Sequence, residues 1–222
     1  MPTSTAPLTR SVFLTGGTGY VGSRLIRALT ARGHSVRALT RAASAGRLPT
    51  GCEPVIGDAL DASTFARALR ADDTFVQLVG TPHPSPAKAA EFERVDFVSV
   101  RESVRAARER GVAHFVYVSV AHPAPIMRAY IDVRVRGEGL IRDSGLPRTI
   151  LRPWYVLGPG HRWPYVLVPL YAALSLIPSS RESARRLGLV SISQMVRALV
   201  TAVENPPLLE RVMEVPDIRR AR

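Results

Sequence analysis

The sequence is poor in cysteine and in long uninterrupted apolar runs. Cys52 is the only cysteine, so an intramolecular disulfide framework is excluded and a reducing compartment is expected. Residues 1–10 lack the apolar core of a signal peptide and are predicted to form a flexible N-terminal extension. The apolar stretch 163–178 is shorter than the roughly 20 residues of a membrane-spanning helix, and Pro164 and Pro169 interrupt it. We therefore expect a cytoplasmic protein.

Lysine is almost absent, although the net charge is +12. Lys88 is the only lysine, and the arginines are scattered singly through the predicted helices without forming a basic block. No nucleic-acid partner is therefore expected. The histidines are dispersed and lack ligand spacing, so no metal site is predicted. An apolar content of 46% in 222 residues is typical of one folded α/β domain.

The most informative segment is a glycine-rich turn between an apolar strand and an amphipathic helix. Residues 11–15 read SVFLT, residues 16–22 read GGTGYVG and residues 23–29 read SRLIRAL. In a dinucleotide-binding βαβ unit, such a turn places the pyrophosphate on N–H groups at the start of the helix. The alternative is a turn that only tightens a strand–helix corner. The predicted cofactor-binding residues of this segment are Gly16, Gly17, Thr18, Gly19, Tyr20, Val21 and Gly22.

Apolar β-prone runs alternate with helical patterns along the first two thirds of the chain. Strands are predicted at 11–15, 35–40, 53–57, 74–79, 113–119, 147–151, 187–191 and 211–215, and helices at 20–32, 62–70, 87–110, 127–144 and 192–204. Near-continuous apolar strands joined by helices are typical of a parallel sheet covered on both faces. The predicted fold is α/β, with a Rossmann-type doubly wound parallel sheet, helices on both faces and a small C-terminal substrate lobe.

A change of character after residue 152 sets the predicted organisation within one structural domain. Residues 11–152 are the expected NAD(P)-binding core, and residues 153–222 are the expected lobe packed on it. Residues 153–164 are rich in proline and glycine and are predicted to form a loop. The stretch 163–178 is interpreted as a buried or lid helix. The alternative is a segment on a membrane surface, with arginines 162, 181, 185 and 186 at the headgroups.

The type of dinucleotide is indicated by an absence of acidic residues. No Asp or Glu occurs between Gly22 and Cys52, whereas NAD-selective sites place an acidic residue on the ribose near the end of the second strand. Arg41 falls there instead and can pair with a 2′-phosphate, which favours NADP(H) over NAD(H). The alternative is that Arg41 is one more solvated arginine.

Two further strand ends are expected near the adenosine half of the cofactor. Asp58 follows the third strand and can accept a hydrogen bond from the adenine amino group. The alternative role is to help start the next helix. Val79 and Gly80 follow the fourth strand, where the backbone can pass close to the adenine ribose.

Several blocks together resemble the extended or atypical short-chain dehydrogenase/reductase superfamily, close to its NAD-dependent epimerase/dehydratase and NmrA-like branches. These blocks are TGGTGYVG at 15–22, VRALTR at 36–41, GD at 57–58, FVYVSV at 115–120 and ILRPWYVLGPG at 150–160. The resemblance implies that Gly16, Gly19 and Gly22 hold the pyrophosphate. It also implies that Arg41 holds the 2′-phosphate and Asp58 the adenine, and that Pro153 approaches the nicotinamide and the substrate pocket.

The same resemblance implies a tyrosine-based catalytic site. Its members pair an acid/base tyrosine with a lysine four residues later and with a hydroxyl side chain that orients the substrate. Tyr130 and Arg134 have this spacing, but arginine stands in the place of lysine. Ser119 is the candidate hydroxyl at the end of the fifth strand, although the register of the block places that position on Val120.

Two classes of function follow. The first is an NADP(H)-dependent oxidoreductase or epimerase-like enzyme for a small, partly apolar carbonyl or hydroxyl substrate, including quinone-like or lipid-like molecules. Its pocket would contain the aromatic residues Trp154, Tyr155, Trp163 and Tyr165. The alternative is a non-catalytic dinucleotide-binding regulator or scaffold, like NmrA-like regulators and the accessory subunit of respiratory complex I. A monomer or a homodimer through the two long helices is expected.

Overall fold

The computed structural model describes residues 9–124, 126–159 and 187–221. The strands in this part are β1 (Ser11–Thr15), β2 (Ser35–Thr40), β3 (Cys52–Ile56), β4 (Asp73–Gln77), β5 (His114–Val118), β6 (Arg148–Leu151), β7 (Tyr155–Leu157), β8 (Leu189–Ser191) and β9 (Glu210–Met213). The helices are α1 (Gly22–Thr30), the single turn α2 (Ala89–Glu91), α3 (Val98–Arg110), α4 (Arg128–Asp143), α5 (Ile192–Glu204) and α6 (Val215–Arg220).

Seven strands form one parallel sheet in the order β3-β2-β1-β4-β5-β6-β9. The sheet grows outward in one direction from β1 and in the other from β4. Between these two strands the chain changes its winding direction, which opens a crevice at their carboxyl ends. The predicted Rossmann-type parallel sheet is confirmed.

Each face of the sheet carries its own apolar core. Val12, Leu14 and Val76 pack on one side with residues of α1, α5 and α6. On the opposite side Phe13, Phe75 and Phe115 pack with residues of α3 and α4. The rings of Phe75 and Phe115 stack with centroids 5.0 Å apart. Successive side chains of β1 point to opposite faces, and Val12, Phe13 and Leu14 are all buried. This is the pattern of a central parallel strand that is covered on both faces.

The helix predicted over 62–70 is wrong. The segment forms two short 3₁₀ turns, Ala62–Thr64 and Ala66–Ala68. Phe65 separates them with φ −137° and ψ −13°, which is not a helical conformation. Its ring is buried near Phe13 and Phe75. Tertiary burial of one aromatic side chain has overridden the local helical pattern.

The helix predicted over 87–110 forms, but its first half is irregular. A 3₁₀ turn at Pro86–Lys88 and the turn α2 are followed by a π-helical segment, Phe92–Phe97, before α3 begins. The wider π turn contains two buried side chains, those of Phe92 and Asp96. Such π segments occur often at functional sites.

The C-terminal part of the chain is joined to the main sheet. β9 pairs with β6, so the sheet extends beyond the boundary expected at residue 152. β7 forms within the predicted loop 153–164 and pairs with β8. The strand predicted to end at 215 ends at Met213, and α6 follows it.

The apolar stretch 163–178 lies outside the described residues. None of the described helices is long and apolar enough to cross a membrane.

Arg37, which lies in the middle of β2, is buried and forms an ion pair across the sheet. Its Nη2 atom is 2.5 Å and 2.7 Å from the two carboxylate oxygens of Asp73, and its Nη1 donates to the carbonyl of Ala68. Asp73 also accepts from the Ser11 hydroxyl and the Arg70 amide. Every partner lies at the amino-terminal edge of the sheet, so this pair fastens β1, β2 and β4 away from the crevice.

We expect Asp73→Asn to lower the free energy of unfolding by about 3 kcal/mol, because it leaves a buried guanidinium without its counter-charge. For a chain of this size the melting temperature should fall by about 6–12 °C, measured by circular dichroism. Arg32→Ala is the control, since Arg32 is half exposed where it meets Glu204 and such pairs contribute less than about 1 kcal/mol. Equal shifts for both variants would contradict the assignment.

Candidate functional site

The glycine-rich turn follows β1 and leads into α1 at the crevice. Gly16 has φ +74°, a left-handed conformation that favours glycine. A Cβ on Gly22 would overlap the carbonyl of Gly16, so the helix approaches the turn as closely as backbone allows. No side chain caps the start of α1, and its first turn contains no acidic residue. These features fit a diphosphate, which binds to free N–H groups at the positive end of a helix.

Beside this turn lies a cavity of about 470 Å³. Its lining comes from the ends of β1 to β4 and from the segment before α3. The lining residues are Gly16, Thr18, Leu39, Thr40, Arg41, Ser44, Gly57, Asp58, Ala59, Leu60, Val79, Glu91 and Val95. Five predicted cofactor-binding residues therefore lie around one cavity: Gly16, Thr18, Arg41, Asp58 and Val79. Gly17, Gly19, Tyr20 and Gly22 are in the same turn but do not line it.

One wall of this cavity carries a positive charge, that of Arg41. Arg41 is exposed and precedes a 3₁₀ turn, Ala42–Arg47. Arg47 at the end of that turn donates to the buried Ser44 hydroxyl at 2.7 Å. Neither arginine forms an ion pair with a carboxylate of the described residues. This second arginine and Ser44 were not singled out from the sequence, because only the 3₁₀ turn brings them toward the cavity.

Asp58 lines the cavity and makes one local contact. Its Oδ1 accepts from the Leu60 amide at 2.9 Å, which is a local turn contact. The cap of the following 3₁₀ turn is Asp61, whose Oδ1 accepts from the Ser63 amide at 3.0 Å. Asp58 is therefore not the cap of the 3₁₀ turn. Its side chain is exposed at the wall of the 470 Å³ cavity.

On the other side of the glycine-rich turn lies a smaller cavity of about 190 Å³, lined by Val21, Leu78, Gly80, Thr81, Val118, Tyr130 and Arg134. The structure thus brings the Tyr130 and Arg134 pair together at the end of β5. The Arg134 guanidinium carbon lies 5.1 Å from the centroid of the Tyr130 ring. The same ring packs on Phe92 in an edge-on arrangement, with centroids 5.0 Å apart. The tyrosine ring therefore contacts both an arginine and a buried aromatic residue.

Arg134 does not present a free cation to this cavity. Its Nη2 lies 2.5 Å from Oδ1 of Asp96, and its Nη1 donates to the carbonyl of Val118 at 2.9 Å. Burial alone would lower the pKa of the guanidinium, but Tyr130, Tyr117 and Asp96 hold this pKa above its ordinary value. Arg134 therefore stays charged, and its charge is neutralised by a buried carboxylate.

Asp96 belongs to a chain of buried polar groups beneath the crevice. The Ser99 hydroxyl donates to the Asp96 carbonyl at 3.1 Å and accepts from Gln77 at 3.0 Å. Gln77 in turn accepts from the Thr15 hydroxyl at the end of β1. The network thus joins the strand before the glycine-rich turn to Arg134. Asp96 was missed in the sequence because it lies within what reads as a regular helix.

Neither Ser119 nor Pro153 lines the smaller cavity. The Ala121 amide donates to the Pro153 carbonyl at 2.9 Å, which joins the segments that follow β5 and β6. Burial would raise the pKa of Glu138, but its hydrogen bonds from Arg152 hold this pKa below its ordinary value. The Ser119 hydroxyl is buried and forms no hydrogen bond within the described part of the chain, whereas Val118 lines the cavity. Among the described residues there is no acidic, histidine or cysteine cluster able to hold a metal ion.

Comparison with known proteins places this site in a family. Residues 16–168 match the family described as NAD(P)H-binding. A solved short-chain dehydrogenase/reductase superfamily protein from Agrobacterium tumefaciens with bound NAD superposes with a TM-score of 0.67 at 18% identity, over 92% of this chain and 77% of that one. This likeness shows the fold.

Two curated relatives are similar in sequence. A ceramide reductase of Caulobacter vibrioides is 27% identical over 94% of this chain and 65% of its own length. The chloroplastic divinyl chlorophyllide a 8-vinyl-reductase of Oryza sativa is 32% identical over 68% of this chain and 41% of its own length. The chain thus spans less than two thirds of the length of either relative. Its family match over residues 16–168 shows that the chain belongs to the NAD(P)H-binding family.

Proposed function

We propose that the protein is an NADP(H)-dependent oxidoreductase that acts on a partly apolar carbonyl compound. One observation carries this proposal: two cavities flank the glycine-rich turn, one with an arginine wall and the other with Tyr130. A dinucleotide that lies across the turn would place its adenosine half in the larger cavity and its nicotinamide half in the smaller one. Its diphosphate would lie on the start of α1.

The preference for NADP(H) rests on the charge of the larger cavity. Arg41 lies at the carboxyl end of β2, where a 2′-phosphate would lie, and Arg47 and the Ser44 hydroxyl are on the adjoining turn. A guanidinium without a carboxylate partner binds a phosphate strongly through charge-assisted hydrogen bonds. The Asp58 carboxylate at the same cavity is an acceptor for the adenine amino group.

Tyr130 is the proposed acid/base group. When bound, the reduced cofactor supplies a hydride to the carbonyl carbon. The Tyr130 hydroxyl then donates a proton to the substrate oxygen. The contacts of its ring with Phe92 and Arg134 hold this hydroxyl at the cavity. Ser119 is a weaker candidate for orienting the substrate, because it is buried and does not line the smaller cavity.

A lipid-like substrate is the favoured class. The Caulobacter relative is named for the reduction of ceramide, a lipid. In this chain Trp154 and Tyr155 pack edge to face directly after Pro153, with ring centroids 5.3 Å apart. Partly buried aromatic rings at this position suit an apolar ligand.

A second candidate function is that of a non-catalytic dinucleotide-binding regulator or scaffold. The observation that favours it is that both terminal nitrogens of Arg134 already have hydrogen-bond partners. A lysine at this position would have a single mobile ammonium near the tyrosine, whereas Arg134 is committed to Asp96 and Val118. Cofactor binding without turnover on any carbonyl compound would favour this candidate.

We expect Arg41→Ala to weaken NADPH binding by about 10-fold to 100-fold, the equivalent of losing a hydrogen bond to a charged group. NADH binding should stay within about twofold of wild type, because NADH lacks the 2′-phosphate. Isothermal titration calorimetry measures both dissociation constants. Arg67→Ala is the control for a general loss of surface charge, since Arg67 is exposed and does not line the cavity. Tighter binding of NADH than of NADPH by wild type would remove Arg41 from this role.

We expect Tyr130→Phe to lower turnover by about 100-fold or more, because the proton donor is lost. The ring contacts with Phe92 and Arg134 are kept, so NADPH affinity should be unchanged. The assay follows NADPH oxidation at 340 nm with ceramide-like ketones, aldehydes and quinones as substrates. Wild-type activity that the variant retains in full would exclude Tyr130 as the acid, and no activity in wild type would favour the second candidate.

A further inference from the structure

The floor of the smaller cavity is built around one buried ion pair. The side chains of Asp96 and Arg134 are 0% and 7% exposed. Oδ1 of Asp96 meets Arg134, and Oδ2 accepts from both the amide and the hydroxyl of Thr81, at 2.9 Å and 2.6 Å. Arg134 reaches on to the carbonyl of Val118. Four segments therefore meet at this pair: the loop after β4, the π turn, the end of β5 and α4.

We infer that Asp96 and Arg134 are positioning residues for the nicotinamide half of the cofactor. This inference rests on the proposed binding of NADP(H) and assigns a role that differs from that of a catalytic lysine. The pair holds Gly80, Thr81 and Val118 in the places from which they line the smaller cavity. The pair itself donates nothing to the reaction. Its effect on the cofactor is transmitted by the backbone that it fixes.

The contacts explain why the residue at 134 is arginine. Its two terminal nitrogens bind two different acceptors, a carboxylate on the π turn and a carbonyl on β5. A rigid, planar guanidinium makes both contacts at once, whereas a single ammonium group must satisfy both from one point. The buried carboxylate also requires a permanent counter-charge, which arginine supplies at any physiological pH.

Gly80 shows how closely the pair shapes the cavity. A Cβ on Gly80 would overlap Nη2 of Arg134 and lie 3.1 Å from Oδ1 of Asp96. The absence of a side chain there lets the guanidinium lie directly against the loop backbone. The Gly80–Thr81 backbone is thus seated on the ion pair.

The two cavities give the inference a direct test, because the pair lies at only one of them. None of Thr81, Asp96, Val118 and Arg134 lines the larger cavity. A loss of the pair should weaken a ligand that fills both cavities and spare a ligand that fills the larger one alone. NADPH and adenosine 2′,5′-bisphosphate are such a pair of probes, with NADH and 5′-AMP as the second pair if the protein prefers NAD(H).

The experiment compares Asp96→Asn with Asp73→Asn by isothermal titration calorimetry of the intact chain. Both substitutions remove the carboxylate charge of a buried Arg–Asp pair, and both should lower the melting temperature. We expect only Asp96→Asn to weaken the whole dinucleotide, by about tenfold, while the adenosine fragment binds as to wild type. Equal losses for the dinucleotide and the fragment, or equal effects of the two variants, would overturn the inference.

Two more variants keep the test informative if Asp96→Asn does not fold. Thr81→Val keeps the ion pair and removes one hydrogen bond, so it should give a smaller loss confined to the dinucleotide. Arg134→Lys should also weaken the dinucleotide selectively, because lysine cannot hold both acceptors. Wild-type dinucleotide affinity in both variants would overturn the inference and leave the proposed function standing. Failure of wild type to bind either probe would overturn both.

Discussion

Each buried guanidinium group in the described part of the chain forms an ion pair with a carboxylate, and two of these ion pairs lie at opposite ends of the strands of the sheet. Arg37 and Asp73 lie at the amino-terminal edge, while Arg134 and Asp96 lie at the carboxyl edge beneath the crevice. Each pair joins segments that are far apart in the sequence. Removal of either partner leaves an uncompensated buried charge, which costs several times more than a surface pair contributes. The strands are thus tied at both ends by charge as well as by apolar burial.

The two ion pairs differ in their relation to the candidate site. The amino-terminal pair is remote from both cavities and has no part in the site. The carboxyl-terminal pair is continuous with the polar groups of Thr15, Gln77 and Ser99, which lie under the glycine-rich turn. Buried polar groups are costly to leave without partners, so a chain of hydrogen bonds such as this one admits few alternative arrangements. Rigidity at this edge would lower the cost of ordering the protein when a long, flexible dinucleotide binds.

The sequence predicts the features that depend on local pattern. β1, β2 and α5 have the bounds predicted from their local patterns, and the glycine spacing of residues 16–22 predicts the turn. Prediction from the sequence fails where contacts between residues far apart in the chain determine the backbone conformation. Phe65 breaks a predicted helix because its ring is drawn into the aromatic core. The π turn before α3 places Asp96 against Arg134, and no property of residues 87–110 alone indicates it.

The site residues follow the same rule. Tyr130 and Arg134 are found from their spacing on one helix, but the state of Arg134 depends on a carboxylate 38 residues away. An exchange of lysine for arginine is conservative in charge, yet the shape of the guanidinium allows it to bridge two acceptors that one ammonium cannot. Arginine at position 134 is therefore best understood together with Asp96. The two side chains form a fixed, neutral ion pair where a lysine would present a mobile cation. What the tyrosine gains is a stable ring position, and what it loses is a free positive charge beside its hydroxyl. The proposed reaction would therefore depend more on the orientation of its reactants than on electrostatic activation of the tyrosine.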